Sequence, residues 1–425
     1  MASVPLHSSR VVSRGNDKFL QRIVCQLDET YSPEDRSRYT PPSFDPSWHG
    51  LRVGTGSASW QAVAGIVEAI QEAVMPGLFV ASSIQPPDRI DLHNELERLI
   101  PPLQSILQSF FQVELEDATS REYAHLAALN LIAHLPAFRR RALWNVFASL
   151  KDPALWDAFL LRNEARREDL GNLDLLAAID QAIYSRRQED YLGFLREHGF
   201  EYAFSYQRRL VKRSYPGWKA LLLHDIAHTL ALGGFIEDLD QQAPPTPFLP
   251  RVIAEYAASL YQTDMHPETV IGDATFLEHP HRGITTGQTG RIGVGCVIYP
   301  CTLGGITDKV KPRHPLIGDF VLIGTDVGIF GPVVVSNGSV IGANTEINGL
   351  IEIHERVRIR AAVVARTVIS ESGKPGRIVF GEGVTVGEEC LVINDQPADL
   401  VIPPGANLPA GSHVVNDGNG GMRIL

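Results

Sequence analysis

Three clusters of side chains that could do chemistry lie in the C-terminal part of this 425-residue chain. The first is Asp264-Met265-His266-Pro267. The second is Leu277-Glu278-His279-Pro280-His281-Arg282-Gly283. The third runs from Thr302-Leu303-Gly304-Gly305 to Lys311-Pro312-Arg313-His314-Pro315. Together they hold what acyl transfer to a hydroxyl demands. A base must take the hydroxyl proton, and histidine titrates in the right range. A carboxylate must hold the imidazole in the correct tautomer and balance its charge. Backbone N–H groups or cations must meet the oxyanion that forms at the acyl carbon. His279, Asp264 and the Gly304-Gly305 turn are the candidates for these three parts.

The other histidines and the cysteines carry blander readings. His266 beside Pro267 reads as a turn residue, His281 as a solvated loop residue, His228 as a packed helix residue and His354 as a solvated corner. Cys296 and Cys301 read as small packing residues. The four cysteines, Cys25, Cys296, Cys301 and Cys390, form no C-x-x-C pair, so neither a zinc ribbon nor a disulfide scaffold is indicated.

The element that positions these clusters is written in the spacing. Ile317, Ile323, Ile329, Val335, Ile341, Ile347, Ile353 and Ile359 recur every sixth residue without a slip, and Ile292 and Ile298 form an earlier pair at the same spacing. A period of six is neither the 3.6 of a helix face nor the 2.0 of a strand. It suits a coil with three flat sides, each side pointing one aliphatic residue into a stacked core. Gly often follows the aliphatic, as at Gly272, Gly293, Gly318, Gly324 and Gly342, and is expected to serve unusual corner dihedrals. The loop from Gly304 to Arg313 interrupts the repeat, and such loops carry function.

Upstream, helical periodicity covers Trp60–Val74, Asp91–Phe111, Arg121–Leu150, Pro153–Arg186, Trp218–Leu232 and Arg251–Tyr261. The proline-rich stretch Glu237–Pro250 reads as a loop. The expected order is an arm over 1–55, an α-helical domain over 56–262, the coil over 263–395 and a tail over 396–425.

The formal net charge of -11 argues against a general nucleic-acid or anionic-membrane binder, since both need clustered Lys and Arg. The polar start of the chain does not read as a secretory signal, and no apolar run is long enough to cross a membrane. Few cysteines and no signal point to a reducing cytoplasm.

The motifs resemble those of the serine O-acetyltransferase family, which are hexapeptide-repeat acyltransferases. Asp264-Met265-His266-Pro267, Ile271-Gly272 and Leu277-Glu278-His279 look like its D-I-H-P, I-G and L-D-H, with the same spacing from Asp to His. Thr302-Leu303-Gly304-Gly305 and Arg313-His314-Pro315 match T-L-G-G and R-H-P. Gly217-Trp218-Lys219-Ala220-Leu221 and Ile226-Ala227-His228-Thr229-Leu230 are similar to the helix that precedes the coil.

The resemblance implies an α+β chain, with an α-helical N-terminal domain followed by a left-handed parallel β-helix of hexapeptide repeats. It implies acetyl transfer from acetyl-CoA to the hydroxyl of L-serine, with no metal. His279 would be the general base, oriented by Asp264. Glu278, Arg313 and His314 would contact the acceptor, and Gly304 and Gly305 would lie along the thioester arm of the CoA. The partners implied are these small molecules and further copies of the chain, as a trimer or hexamer with sites between adjacent coils.

The chain departs from the family in several places. Glu278 replaces an Asp, and Pro280-His281-Arg282 brings an inserted residue and two new polar side chains beside the base. Val340 stands where a basic residue meets the CoA phosphates. An irregular insertion over Val363–Phe380 brings Arg366, Lys374 and Arg377, and a penultimate Ile424 replaces the terminal Ile used for docking a sulfhydrylase. The alternatives left open are another hydroxyl acceptor, such as homoserine or a serine-like metabolite, and a zinc enzyme of the gamma carbonic anhydrase type using His279, His281 and His314. A scaffold without catalysis would leave Asp264 and His279 idle.

Overall fold

The computed structural model describes residues 58–74, 89–111, 117–149 and 211–425, without 212–213, 237–239, 247, 307–312 and 370–372. The expected arm over 1–55, the expected helix at Pro153–Arg186, Cys25 and Lys311 lie outside the described residues. The chain divides into two compact units, Met1–Ala137 with Asp225–Ser259 and Phe138–His224 with Leu260–Leu425. The expected helical domain is thus shared between both units.

The described helices form where the periodicity places them: α1 over Ala58–Val74, α2 over Arg89–Phe111, α3 over Asp117–Ser149, α4 over Gly217–Leu232 and α5 over Leu249–Tyr261. In α1 the buried face is Val63, Ile66, Val67, Ile70 and Val74, and in α2 it is Leu99, Ile100, Leu103 and Leu107. Both are apolar stripes at helical spacing. The stretch expected as a loop before α5 is more ordered than its prolines suggest. Gln241–Ala243 pairs antiparallel with Gly234–Ile236, and Pro244 ends that pairing.

From Thr263 the chain winds into a parallel β-solenoid, as the hexad predicts. Its short strands build two 7-stranded sheets and one 9-stranded sheet. Neighbours in each sheet lie one turn apart, with Leu316 opposite Val334 and Val334 opposite Glu352. The eight hexad aliphatics from Ile317 to Ile359 are all buried, and Val321, Val327, Val333, Ile351, Val357 and Val363 fill the core between them. The buried thiols of Cys296, Cys301 and Cys390 are unpaired.

The glycines after the aliphatics serve a different purpose from the one expected. A Cβ on Gly272 would lie 2.5 Å from the Gly293 backbone, and one on Gly293 would lie 2.5 Å from the Gly318 carbonyl. They are needed because successive turns approach so closely. The left-handed backbone falls two residues later, at Ala274, Gly295, Phe320, Asp326 and Asn344, where most positions carry a side chain.

Residues 396–425 are not a tail. Leu400–Ile402, Asn407–Leu408 and His413–Asn416 add a further turn to the coil, and Met422–Ile424 folds back antiparallel on His413–Asn416. Buried asparagines tie this end together. Asn394 Nδ2 donates to the carbonyls of Arg377 and Ala398, and Asn416 Nδ2 donates to Asn394 Oδ1 at 3.1 Å. The expected insertion after Val363 is also shorter, because Val364–Thr367 keeps its place in the sheet.

Candidate active site

The helices set the first turn of the coil from behind. Asn145 near the end of α3 donates from Nδ2 to Thr275 O at 2.8 Å, and its Oδ1 accepts from Leu277 N–H at 3.5 Å. Arg141 Nη1 donates to Ile271 O at 2.8 Å. The first residue of α4, Gly217, leaves no room for a side chain, since a Cβ there would sit 2.5 Å from Leu277 O. Leu277 ends the strand that leads into Glu278 and His279, so both helices anchor the approach to the proposed base.

His279 sits at a corner of the coil in left-handed backbone, φ 47° and ψ 46°, and caps the short 3₁₀ turn Pro280–Arg282. Such a conformation is uncommon for a residue with a Cβ. The surroundings hold it there. Glu278 N–H donates to Ile298 O at 2.9 Å, Arg282 N–H to His279 O at 3.0 Å and Cys301 N–H to Gly283 O at 3.0 Å. The imidazole is exposed, with Nε2 3.5 Å from Glu278 Oε1. The His281 ring meets it edge-on, centroids 5.9 Å apart. Arg282 reaches outward, 3.5 Å from Asp326.

Asp264 lies in the first strand of the coil, Thr263–Met265, with its side chain outward between buried Thr263 and Met265. It pairs in register with Thr285, and Thr285 with Thr302. The strand carrying Thr285 begins directly after the His279 turn. Asp264 and His279 therefore belong to consecutive rungs, which lie about 4.8 Å apart along the coil.

The next corner gathers the third cluster. His266 occupies a turn there, as expected, with Nδ1 accepting from Glu268 N–H at 3.1 Å. His314 is buried. Its Nδ1 lies 3.2 Å from Thr289 N and 2.8 Å from Thr289 Oγ1. Burial pushes its pKa below the ordinary histidine value, and the charges of Arg313 and His266 push it the same way. A Cβ on Gly305 would lie 2.8 Å from His314 Nε2, and one on Gly287 would overlap the ring outright. Arg313 is half-buried beside it, with its backbone N–H 3.4 Å from Thr289 Oγ1. Gly287 and Thr289 escaped the sequence reading. Their signal was the pair of glycines around Gln288-Thr289, which reads as an ordinary turn.

Gly304 lies on the outward face beneath Phe330, whose ring also crosses Gly328. Cys301, one rung above Ile284, is no nucleophile, because burial pushes its thiol up to about 12. Val340 is followed in the same sheet by exposed Arg358. Of the basic residues in the expected insertion, Arg366 is exposed, while Arg377 is held by Glu352 at 2.6 Å and Asp399 at 2.7 Å and is a structural ion pair. Among the described residues no three His, Cys, Asp or Glu side chains gather into a metal-binding group. None of the described helices is long and apolar enough to cross a membrane.

No family model matches the chain. Over 177 residues it is 33% identical to a serine acetyltransferase of Synechococcus elongatus, covering 40% of this chain and 60% of that protein. Over 132 residues it is 34% identical to a serine acetyltransferase of Helicobacter pylori, covering 31% of this chain and 70% of that one. Among solved structures it is similar to serine acetyltransferase isoform 3 of Entamoeba histolytica in complex with cysteine, at a TM-score of 0.43 and 21% identity, covering 72% of this chain and 81% of that one. The chain thus spans less than two thirds of the length of the Synechococcus relative.

Proposed function

Because this chain belongs to the serine acetyltransferase family, we propose that it moves an acetyl group from acetyl-CoA to the hydroxyl of L-serine. One observation carries the reading. An exposed histidine is held in left-handed backbone at the corner that follows a carboxylate-bearing rung, one corner away from a buried histidine beside an arginine.

In this reading His279 takes the hydroxyl proton while the serine oxygen adds to the thioester carbon. The oxyanion collapses, the C–S bond breaks, and the departing sulfur takes the proton from His279, leaving O-acetylserine and free CoA. Asp264 orients the base. Arg313 and His314 hold the acceptor's carboxylate, Glu278 contacts the acceptor, and Gly304 and Gly305 line the thioester arm. Membership in this family further supports a left-handed coil, a trimer or hexamer, and a role in cysteine synthesis. Unpaired buried thiols fit a reducing cytoplasm.

A second reading keeps the chemistry and changes the acceptor to homoserine or another serine-like hydroxyl. It is favoured by Glu278 and by His281 against the base. The test is release of CoA thiol from acetyl-CoA with L-serine, D-serine, L-homoserine, L-threonine or no acceptor. Release with L-serine alone supports the first reading, and release with another acceptor alone supports the second. Silence across the panel would sink both.

A further inference from the structure

His314 differs from the other histidines beside the site. His279 and His281 stand in solvent, whereas only 5% of His314 is accessible. Its Nδ1 faces two groups of one residue, the backbone N–H of Thr289 at 3.2 Å and the Thr289 hydroxyl at 2.8 Å. A backbone N–H can only donate, so Nδ1 must accept, and the hydrogen of the neutral ring sits on Nε2. The hydroxyl is itself directed. With Nδ1 accepting, the hydroxyl gives it its own hydrogen, and its oxygen accepts from Arg313 N–H at 3.4 Å. Nε2 has no hydrogen-bond partner among the described residues, and it lies against the bare backbone of Gly287 and Gly305.

We propose that Thr289 is a positioning residue for the acceptor: it locks His314 in the tautomer with hydrogen on Nε2, so that a neutral imidazole presents one N–H to the acceptor's carboxylate. This rests on the reading of His314 as an acceptor-binding residue and adds the group that decides where its hydrogen sits. A charged imidazole would attract any anion. A neutral donor of fixed direction requires an accepting oxygen at one point, which makes it a device for selection. Protonation of Nδ1 would set two hydrogens against each other at 3.2 Å, so the lock also keeps the ring neutral.

The test uses the whole 425-residue chain. Thr289→Val keeps the shape and the backbone N–H but removes the hydroxyl, and Thr289→Ser restores it. Thr289→Val is expected to raise the acceptor KM about tenfold, the size of one lost hydrogen bond. The kcat and the acetyl-CoA KM should hold, and Thr289→Ser should recover the wild-type KM. His314→Gln places an amide N–H near the Nε2 position without any tautomer to lock, so Thr289→Val should cost nothing further in that background. Nitrogen chemical shifts of histidine-labelled protein, with His314→Gln identifying the resonance, report the tautomer without reference to turnover. Hydrogen on Nδ1 in the wild-type protein overturns the lock. Hydrogen on Nε2 there, together with an acceptor KM unmoved in Thr289→Val, overturns the acceptor role of His314, and the proposal falls with it. An equal loss in the His314→Gln background marks Thr289 as merely structural and also overturns it.

Discussion

His279 Nε2 lies 3.5 Å from Glu278 Oε1, yet the two side chains differ sharply in exposure, 58% against 14%. The proposed base stands in the open while its neighbouring carboxylate is sunk into the coil. Removing the imidazole therefore takes little from the packing. His279→Ala is expected to lower turnover by about 10²- to 10⁴-fold, the contribution of a positioned general base, with an unchanged melting temperature. Near-normal thiol release by this variant would remove His279 from the mechanism.

Gly287 and Gly305 give the His314 ring its space. Gly287→Ala would drive a methyl group into the imidazole, and Gly305→Ala would press on its Nε2 edge. Gly287→Ala should raise the acceptor KM more than it alters the acetyl-CoA KM, whereas Gly305→Ala, beside the thioester arm as well, should raise both. Steady-state kinetics with each substrate varied in turn would show this. A selective loss of acetyl-CoA affinity would place the His314 corner on the donor side instead.

Gly217 meets the Leu277 carbonyl, and neither backbone can swing aside as a flexible side chain would. Gly217→Ala should destabilise the fold by about 1–3 kcal/mol, the usual cost of overpacking. Thermal unfolding would read this as a lowered melting temperature. An unchanged melting temperature would mean that the start of α4 can shift off the coil freely.

His314 also makes stability depend on pH. Its folded pKa is held below the ordinary value of about 6.5, first by burial and then by Arg313 and His266. The folded state therefore binds fewer protons there than the unfolded chain. Its contribution is fully present above about pH 6.5 and is lost as pH falls through the depressed folded value. Melting temperatures from pH 8 to pH 5 should fall more gently in His314→Gln than in the wild type. Parallel profiles would show that burial of the neutral ring is not linked to folding.

Much of the coil was legible in the chain, because a solenoid repeats one local rule. Every sixth aliphatic enters the core, and eight in phase leave little freedom. The same rule continues in Ile402, Leu408 and Val414, all buried in the added turn. It was hidden by Pro403, Pro404, Pro409 and the surrounding glycines, whose composition reads as a tail. What those residues do depends on Asn394 and Asn416 finding carbonyls in other turns, and no local pattern announces such partners.

The candidate site divides in the same way. Residue types and spacing were enough to single out Asp264, His279 and the Gly304-Gly305 turn, because a base, a carboxylate and a bare backbone are chemical requirements that sequence displays directly, and the family resemblance added Arg313 and His314. Tertiary structure alone decided that His279 takes left-handed backbone, that Glu278 lies beside it and that Arg377 is spent on Glu352 and Asp399. It alone placed Thr289 against His314, 25 residues away in the chain. Stacking brings together residues a turn or more apart. The position of a hydrogen on an imidazole is settled by what stands within 3 Å of its nitrogens, and that neighbour exists only once the turns have stacked.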